Sequence, residues 1–430
     1  MSKRILILGG GFGGVYTAVN LERYWNGDAD VQITLVSREN YFVMTPLLFE
    51  ASSGVLDPRH AVTPIRRMIN HTRFFEAEVE KIDLEKREVT VRHDVDSPAR
   101  QLHYDHLVIA LGSVTNTRII PGSEHAMHFK SLADAIYLRN HIIDMFERAA
   151  IEPDPAMRRR LRTIVVVGAG LVGVELMGEL TQFVRGVHRH YPDLDGSEVR
   201  FLLLEAGPLV LPEMERDLAD YAVSVFQRRG VEVLTNTPVQ RIEPHRVVLA
   251  NGESIEAYTI LLAAGVMANP LLAHLDLEHD AKGRLVVDAT MRSTRRPEVW
   301  ALGDCAAVPD PRGKPYAPLA QHALRQARVL AANITSVIHG RNSLQPFVYE
   351  TIGMLASLGG HKGVGRIWRM RFRGLIAWWI WRTYYLAQMP RFDRKLRIVI
   401  DWTIAQFFHY DIVKLELFGA KHPSRRRCPD

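Results

Sequence analysis

Two glycine fingerprints of the form GxGxxG constrain this chain more than any other feature of its sequence. The first runs from Gly9 to Gly14 after the apolar stretch 5–8, and the second runs from Gly168 to Gly173 after the stretch 164–167. In each copy a predicted strand leads through the glycines into a predicted helix, which places the pyrophosphate of a dinucleotide at a helix N-terminus. A single copy is a weak signal, because only three positions are fixed. Two copies predict two dinucleotides held face to face, one passing electrons to the other.

Length and composition indicate a globular protein of more than one domain. The 430 residues exceed what one hydrophobic core usually supports, so we expect two or three domains. No run reaches the roughly eighteen uncharged apolar residues of a spanning helix. The first four residues lead directly into the first predicted strand and leave no room for a signal peptide, so a cytoplasmic chain is expected.

Cysteine and charge exclude further classes of function. The two cysteines, Cys305 and Cys428, form no CxxC pair, and no Cys/His cluster has the spacing of a metal site. Electron transfer would therefore depend on bound organic cofactors, with no metal. The net charge of +6 is concentrated in residues 366–397, where nine Lys and Arg face one Asp. Such a local feature does not predict a nucleic-acid-binding surface.

We assign the first fingerprint to FAD. Gly9 permits the tight turn, Gly11 lets the backbone approach the pyrophosphate, and Gly14 lets the helix pack closely on the strand. The residues of this loop that we expect to contact FAD are Gly9, Gly11, Phe12, Gly13 and Gly14.

The acid that normally follows the next strand is missing from this copy. Ser37 stands where a carboxylate would bind the ribose hydroxyls, and Arg38 and Glu39 follow it. Serine can still form one hydrogen bond, and Glu39 could reach the ribose. We therefore keep Ser37 and Arg38 as predicted FAD contacts.

Two later apolar strands end in turns of small residues, one at Ala110 to Gly112 and the other at Gly303-Asp304. An aspartate in such a turn could bind the ribityl chain or a hydroxyl near the phosphates. Because Asp304 lies late in the chain and the first fingerprint lies at its start, we predict an FAD domain interrupted by an insertion. The predicted domains are FAD-binding at 1–125 and 262–350, NADH-binding at 126–261, and a C-terminal region at 351–430.

The second fingerprint is complete. Its glycines precede a predicted helix, and the next strand ends at Glu205. A carboxylate there accepts hydrogen bonds from the ribose hydroxyls and would repel a 2′-phosphate, which favours NADH over NADPH. The predicted NADH contacts are Gly168, Gly170, Leu171, Val172, Gly173, Glu205 and Gly265.

Over its whole length the chain resembles the type II (non-proton-pumping) NADH dehydrogenases, flavoproteins with a glutathione-reductase-like fold. Besides the two fingerprints, the resemblance rests on Tyr41 to Phe49, Ala264 to Val266, Gly303-Asp304, Leu319 to Ala323 and Gly353 to Gly359. It implies an α/β fold with two Rossmann-like dinucleotide-binding domains and an amphipathic, helical, membrane-anchoring C-terminal region. It also implies hydride transfer from NADH to FAD, followed by two-electron reduction of a membrane quinone without proton pumping.

The resemblance further assigns roles to single residues. Glu175 would contact NADH near the nicotinamide and lie on the proton path to quinone as a catalytic residue; pairing with a buried base is the alternative. Gln321 would orient a quinone carbonyl at the flavin edge, as the second catalytic residue. The family's AQxAxQ motif ends here in Arg325, with Gln326 one residue later, which leaves room for another acceptor. The further FAD contacts implied are Pro46, Ala320 and Gln321, and the quinone contacts are Gln321 and Arg325.

The C-terminal region combines aromatic residues, arginines and an apolar repeat. Tryptophans and tyrosines crowd residues 378–385 between Arg373 and Pro390, and an apolar residue recurs every four positions from Leu396 to Phe408. This pattern predicts a monotopic anchor that binds an anionic membrane surface through residues 366–418, on the cytoplasmic side of the cell membrane. The alternatives are a helical hairpin packed on the protein and the interface of a homodimer.

Three other functions are alternatives to NADH:quinone oxidoreduction. A sulfide:quinone reductase would need a redox pair of cysteines, which this chain lacks. A soluble NADH-dependent reductase of a protein acceptor, similar to ferredoxin reductases, predicts no membrane affinity. A redox-sensing module would bind NADH without turnover.

Overall fold

The computed structural model describes residues 2–341, 343–408 and 410–415. The α-helices are α1 (Phe12–Trp25), α2 (Leu48–Ser53), α3 (Leu132–Ile151), α4 (Pro155–Leu161), α5 (Leu171–His188), α6 (Arg216–Arg228), α7 (Ala320–Ile338), α8 (Leu375–Gln388) and α9 (Phe392–Phe407). The strands up to the second fingerprint are β1 (Lys3–Leu8), β2 (Val31–Ser37), β3 (Tyr41–Val43), β4 (Val62–Pro64), β5 (Arg73–Glu76), β6 (Glu78–Asp83), β7 (Glu88–Arg92), β8 (Arg100–His103), β9 (His106–Ile109), β10 (Ser113–Thr115) and β11 (Thr163–Val167). The later strands are β12 (Arg200–Leu204), β13 (Val231–Leu234), β14 (Val239–Glu243), β15 (Arg246–Leu249), β16 (Ser254–Glu256), β17 (Thr259–Leu262), β18 (Val266–Ala268), β19 (Leu285–Val286), β20 (Val299–Ala301), β21 (Ala306–Ala307), β22 (Gly353–Ser357), β23 (Gly363–Ile367) and β24 (Met370–Gly374).

The first sheet is parallel, with strand order β20-β9-β1-β2-β5. Its central strands are buried on both faces, which explains why they appear in the sequence as uninterrupted apolar runs. Helices α1 and α7 pack against each other. Strand β20 therefore completes a sheet begun at the N-terminus, as the predicted interruption requires.

The second sheet is also parallel, with order β13-β12-β11-β17, and lies within residues 163–262. Each parallel sheet is accompanied by a three-stranded antiparallel meander, β6-β7-β8 for the first and β14-β15-β16 for the second. A turn at Asn251-Gly252 joins β15 to β16, with Gly252 at φ +88°. The two parallel sheets thus share one arrangement, whereas the domain boundaries at 125, 261 and 350 stay predictions.

The C-terminal region begins with the antiparallel sheet β22-β23-β24 and continues into α8 and α9. Helix α8 packs on this sheet and buries Ala377 and Trp381, while α9 buries Ile398 and Trp402. Asp401 lies 2.5 Å from Nδ1 of His60, which attaches α9 to the first half of the chain. The predicted apolar repeat forms α9 as far as Phe407, and Phe408 caps the helix in extended conformation. None of the helices in the described part of the chain is long and apolar enough to cross a bilayer.

Candidate active site

The first glycine loop leads from β1 into α1. Gly9 has φ +113°, and a Cβ on Gly14 would lie 1.8 Å from the carbonyl oxygen of Gly9, so neither position accepts a side chain. A Cβ on Gly11 would meet nothing within 4 Å. Since α1 begins at Phe12, next to this open space, its first N–H groups are available to an anion. The loop therefore has the shape that a bound pyrophosphate needs.

Ser37 lies beneath this loop. It is buried, and a Cβ on Gly10 would come within 2.2 Å of its Oγ, so a glycine is required at that position as well. Arg38 and Glu39 form an exposed ion pair with each other. The expected acid is thus replaced by a small side chain that packs under the loop, and Gly10 is a position that the three-glycine pattern does not flag.

Asp304 is held beside the first loop by two residues that sequence reasoning missed. The hydroxyl of Ser113 donates to Oδ2 of Asp304 at 2.7 Å, and Nζ of Lys130 donates to Ser113 Oγ at 2.8 Å. Ser113 directly follows Gly112, so its position in the turn was the available signal. The carbonyl of Ala110 lies 2.2 Å from where a Cβ on Gly9 would be, which brings the turn after β9 against the glycine loop. The structure therefore gathers Asp304, Ala110 and the first fingerprint.

Cys305, next to Asp304, is buried and donates to the carbonyl oxygens of Ile109 and Leu302. Burial raises the pKa of its thiol to about 11, so it is not a thiolate near neutral pH. Cys428 lies outside the described residues.

The second glycine loop repeats the geometry of the first. Gly168 has φ +103°, and a Cβ on Gly173 would lie 1.8 Å from the Gly168 carbonyl oxygen. Gly170 faces open space except for Oε1 of Glu213 at 3.6 Å. Leu171 and Val172 begin α5, and Gly265, at φ +72°, forms the turn after β17.

Glu205 is fixed against the second loop by two backbone donors. Its Oε2 accepts from the amide of Ala169 and its Oε1 accepts from the amide of Gly207, both at 2.8 Å. The carboxylate therefore stands at the end of β12 beside the glycines, where the adenosine ribose of a dinucleotide would be expected.

Gln321 begins a small cluster at the start of α7. Its Oε1 accepts from the hydroxyl of Tyr349 at 3.4 Å. The guanidinium of Arg325 lies 4.4 Å from the centroid of the Tyr349 ring and donates to the Gln321 carbonyl oxygen. Gln326 is buried and accepts from the amide of Gly303 at 2.8 Å, so it supports the turn before Asp304 and does not replace the glutamine missing at Arg325. Tyr349 is a further member that the sequence pattern did not flag.

Glu175 lies on α5, buried where that helix meets the C-terminal region. Its Oε1 accepts from the amide of Ser357 at 3.0 Å and from the indole Nε1 of Trp381 at 2.8 Å. Both partners are neutral, and no basic side chain among the described residues is hydrogen-bonded to Glu175. Burial raises the pKa of the Glu175 carboxyl to about 8, and the two donors offset only part of this rise.

Comparison with known proteins assigns the chain to a family. Residues 3–327 match the pyridine nucleotide-disulphide oxidoreductase family, and residues 352–411 match the NDH2 C-terminal domain. A probable NADH dehydrogenase of Dictyostelium discoideum is 32% identical over 419 residues, covering 96% of this chain and 91% of that protein. The type II NADH:quinone oxidoreductase Ndh of Mycobacterium tuberculosis is 31% identical over 422 residues, covering 93% and 87%. The chain belongs to the type II NADH:quinone oxidoreductase family.

A solved structure agrees with this membership. The structure of NDH2 from Plasmodium falciparum in complex with NADH matches this chain with a TM-score of 0.89 at 21% identity. The match covers 96% of this chain and 100% of that one. This likeness concerns the fold. The predicted resemblance and α/β fold class are thus confirmed, while the roles of single residues stay predictions.

We predict that substitutions at Gly11 and Gly170, the two open glycine positions, weaken the binding of FAD and of NADH separately. In Gly11→Ala the new methyl group would enter the space expected for the FAD pyrophosphate, so FAD should dissociate at least about tenfold more readily, a loss of about 1.4 kcal/mol. In Gly170→Ala the KM for NADH should rise about tenfold with FAD content unchanged. Flavin absorbance after dialysis and NADH titration measure the two effects, and each variant controls for the other. Equal FAD retention in wild type and Gly11→Ala would contradict the assignment of the first loop.

We also predict a pH dependence of stability. Because the pKa of Glu175 is raised in the fold from its ordinary value of 4.5 to about 8, the folded state binds the proton more tightly. The resulting stabilisation is complete below pH 4.5 and is lost as pH rises through 8. Glu175→Gln keeps an acceptor for Trp381 but cannot ionise. When the pH is raised from 5 to 9, the melting temperature of this variant should therefore decrease by at least about 2 °C less than that of the wild type. Glu278→Gln, an exposed change in the segment before β19, should follow the wild type, and a wild-type slope in Glu175→Gln would refute the prediction.

Proposed function

We propose that this chain oxidises NADH and reduces a membrane quinone, with FAD as the cofactor between them and without proton pumping. The observation that carries the proposal is similarity to NADH:quinone oxidoreductases that extends through residues 352–411, in a chain that holds two open glycine loops. A soluble reductase of a protein acceptor would not need the C-terminal module.

The residues of the first loop fit FAD. Gly11 leaves room for the pyrophosphate, and Asp304, oriented by Ser113, offers an acceptor for a hydroxyl of the ribityl chain. FAD, when bound, would supply the centre that accepts two electrons from NADH and gives them to quinone. Ser37 cannot supply the charge of the usual acid, so we propose that the backbone amides of the loop and of α1 carry most of the recognition.

Glu205 supports NADH as the donor. Its two backbone hydrogen bonds hold the carboxylate in place before any ligand arrives, so no side-chain freedom is lost on binding. The same negative charge would oppose the 2′-phosphate of NADPH.

The start of α7 supports the quinone site. We propose that Gln321 orients a quinone carbonyl through its amide, with the stacked pair of Arg325 and Tyr349 as one wall of the site. The guanidinium of Arg325 would favour the developing negative charge on the quinone oxygens. Glu175, whose carboxyl is protonated near neutral pH, would donate a proton.

The outer faces of α8 and α9 support attachment to a membrane. Trp379 is 63% exposed on α8 and Phe407 is 78% exposed on α9, and Leu375, Ile376, Phe392, Leu396, Ile400 and Ile404 are exposed with them. Exposed apolar surface of this extent marks an interaction site. We propose that the face binds an anionic membrane surface on the cytoplasmic side, through residues 366–418, of which 409 and 416–418 lie outside the described residues. A homodimer interface on the same face is the competing arrangement.

The main test distinguishes a quinone from a protein as the electron acceptor. The purified flavoprotein should oxidise NADH with a short-chain ubiquinone and be inactive with ferredoxin. Gln321→Ala should raise the KM for quinone about tenfold, about 1.4 kcal/mol, because an oriented hydrogen bond is lost, while ferricyanide reduction is kept. Gln240→Ala, an exposed change on β14, serves as control. Activity with ferredoxin alone would overturn the proposal.

A second test addresses the membrane. The double variant Trp379→Gln, Phe407→Gln should bind vesicles of phosphatidylcholine and phosphatidylglycerol at least about tenfold more weakly, since burying each apolar side chain contributes on the order of 1.5–3 kcal/mol. Val95→Gln, which changes an exposed apolar residue of the first meander region, should bind normally. If vesicle binding is unchanged and the variant instead loses a dimer in size-exclusion chromatography, the face is a dimer interface.

A further inference from the structure

Three buried carboxylates meet where α2, α5, α8 and α9 come together. They belong to Glu50 on α2 and to Glu175 and Glu179 on α5, which are 1%, 7% and 5% exposed. We call these three residues the glutamate cluster. Carboxylates are rarely buried together, because each charge loses its hydration and repels the others.

Only Glu50 has a cationic hydrogen-bond partner among the described residues. Nε and Nη2 of Arg382 donate to its Oε1 at 2.9 and 2.8 Å, and the indole Nε1 of Trp402 donates to its Oε2 at 2.6 Å. The guanidinium of Arg382 lies between the rings of Trp378 and Trp402, 4.3 and 4.5 Å from their centroids. These contacts give both carboxyl oxygens of Glu50 a hydrogen-bond donor, and Arg382 hydrogen-bonds to Glu50 alone among the three carboxylates.

Glu179 is placed to hold a proton. Ser53 Oγ lies 3.2 Å from Glu179 Oε2 and 3.0 Å from the carbonyl oxygen of Glu50. A hydroxyl has one proton, so when it donates to the carbonyl it can only accept from Glu179. Burial and the negative charge of Glu50 raise the pKa of Glu179 to about 7, against the charge of Arg382, a hydrogen bond donated by Ser53 and the charge of Arg229. Glu179 therefore changes its charge near neutral pH.

Glu175 and Glu179 lie one helical turn apart on the same face of α5. Side chains at this spacing are neighbours, about 5–6 Å apart at Cβ, a span that one bridging water or one change of rotamer covers. The other titratable groups that face the cluster are Tyr385 on α8 and Tyr410 after α9, and burial raises the pKa of both, so they stay neutral.

We propose that Glu179, poised by Glu50 and Arg382, returns a proton to Glu175 after each reduction of quinone. The inference rests on the proposed function. In that reaction NADH supplies two electrons and one proton, and quinone takes up two electrons and two protons to become quinol. The second proton passes from Glu175 to the quinone oxygen, then from Glu179 to Glu175, and from solvent to Glu179. No electrons move within the cluster.

Glu179 and its partners are thus positioning residues that act through Glu175. Glu179→Gln cannot pass a proton on, so reloading of Glu175 becomes slow. Quinone reduction by the variant should therefore be at least about tenfold slower than that of the wild type near pH 7, and its rate should lose the fall on the alkaline side that titration of Glu179 gives the wild type.

The experiment uses the full-length holoenzyme and follows the two half-reactions separately by stopped flow from pH 5.5 to 9. In Glu179→Gln the bleaching of flavin absorbance by NADH should match the wild type. The quinone-dependent phase should slow, show a larger solvent deuterium isotope effect, and recover with formate, a small acid that can replace the lost carrier. Glu278→Gln, an exposed change in the segment before β19, is the control.

Ser53→Ala supplies a second, uncharged variant should the glutamine substitution unfold the protein. It removes the hydroxyl between Glu179 and the Glu50 carbonyl and should slow the quinone-dependent phase near pH 7 by about threefold, because Glu179 loses its side-chain hydrogen-bond partner. Wild-type pH profiles in both variants, with quinone reduction intact, would overturn the relay. A wild type that bleaches with NADH but never reduces quinone would instead overturn the proposed function, and the relay with it.

Discussion

The contact between Arg382 and Glu50 joins two parts of the molecule that the chain order keeps apart. Glu50 comes from a short helix of the N-terminal half, Arg382 comes from the C-terminal region, and the rings that enclose the guanidinium come from α8 and α9. Removing either partner would leave a charge buried without compensation, which typically costs about 3–5 kcal/mol. The position of α8, the donor from Trp381 to Glu175 and the exposure of the outer apolar face all follow from this attachment. The C-terminal region is therefore part of the site as well as a candidate membrane anchor.

This has a practical meaning for deletion. Cutting the chain before Arg366 would remove the cation of Glu50 and the indole donors of Glu50 and Glu175 together. Loss of activity in such a truncation could result from the carboxylates that lose their partners as much as from a loss of membrane contact. Substitutions on the outward faces of α8 and α9 separate the two effects, because those side chains are exposed.

Much of the fold was predictable because its signals are local. The strand–glycine–helix units at Gly9 and Gly168 require only that consecutive residues adopt one backbone path, and positive φ at each first glycine confirms it. The pairing of Ser113 with Asp304 and of Tyr349 with Gln321 was not predictable, since residues far apart in the chain meet only through the tertiary fold. The same holds for Glu50 and Glu179, because their contacts are with residues far away in the chain and leave no periodic pattern in the sequence. Gln326 is a case in which a local sequence signal misleads. Because it follows Arg325 directly, it resembles the final glutamine of the AQxAxQ motif displaced by one residue. In the structure it instead supports the turn at Gly303.

Strand β20 has a consequence for how the protein is made. It pairs with β9 and closes the first sheet, although almost two hundred residues separate the two strands, and α7, which packs on α1, follows later still. The second sheet, by contrast, is built from strands within residues 163–262. During synthesis the second sheet has all its strands before the first sheet has its last one, so the sheet begun first is the sheet completed last. Until β20 has been made, the edge of β9 has no partner strand and is open to pairing with another chain.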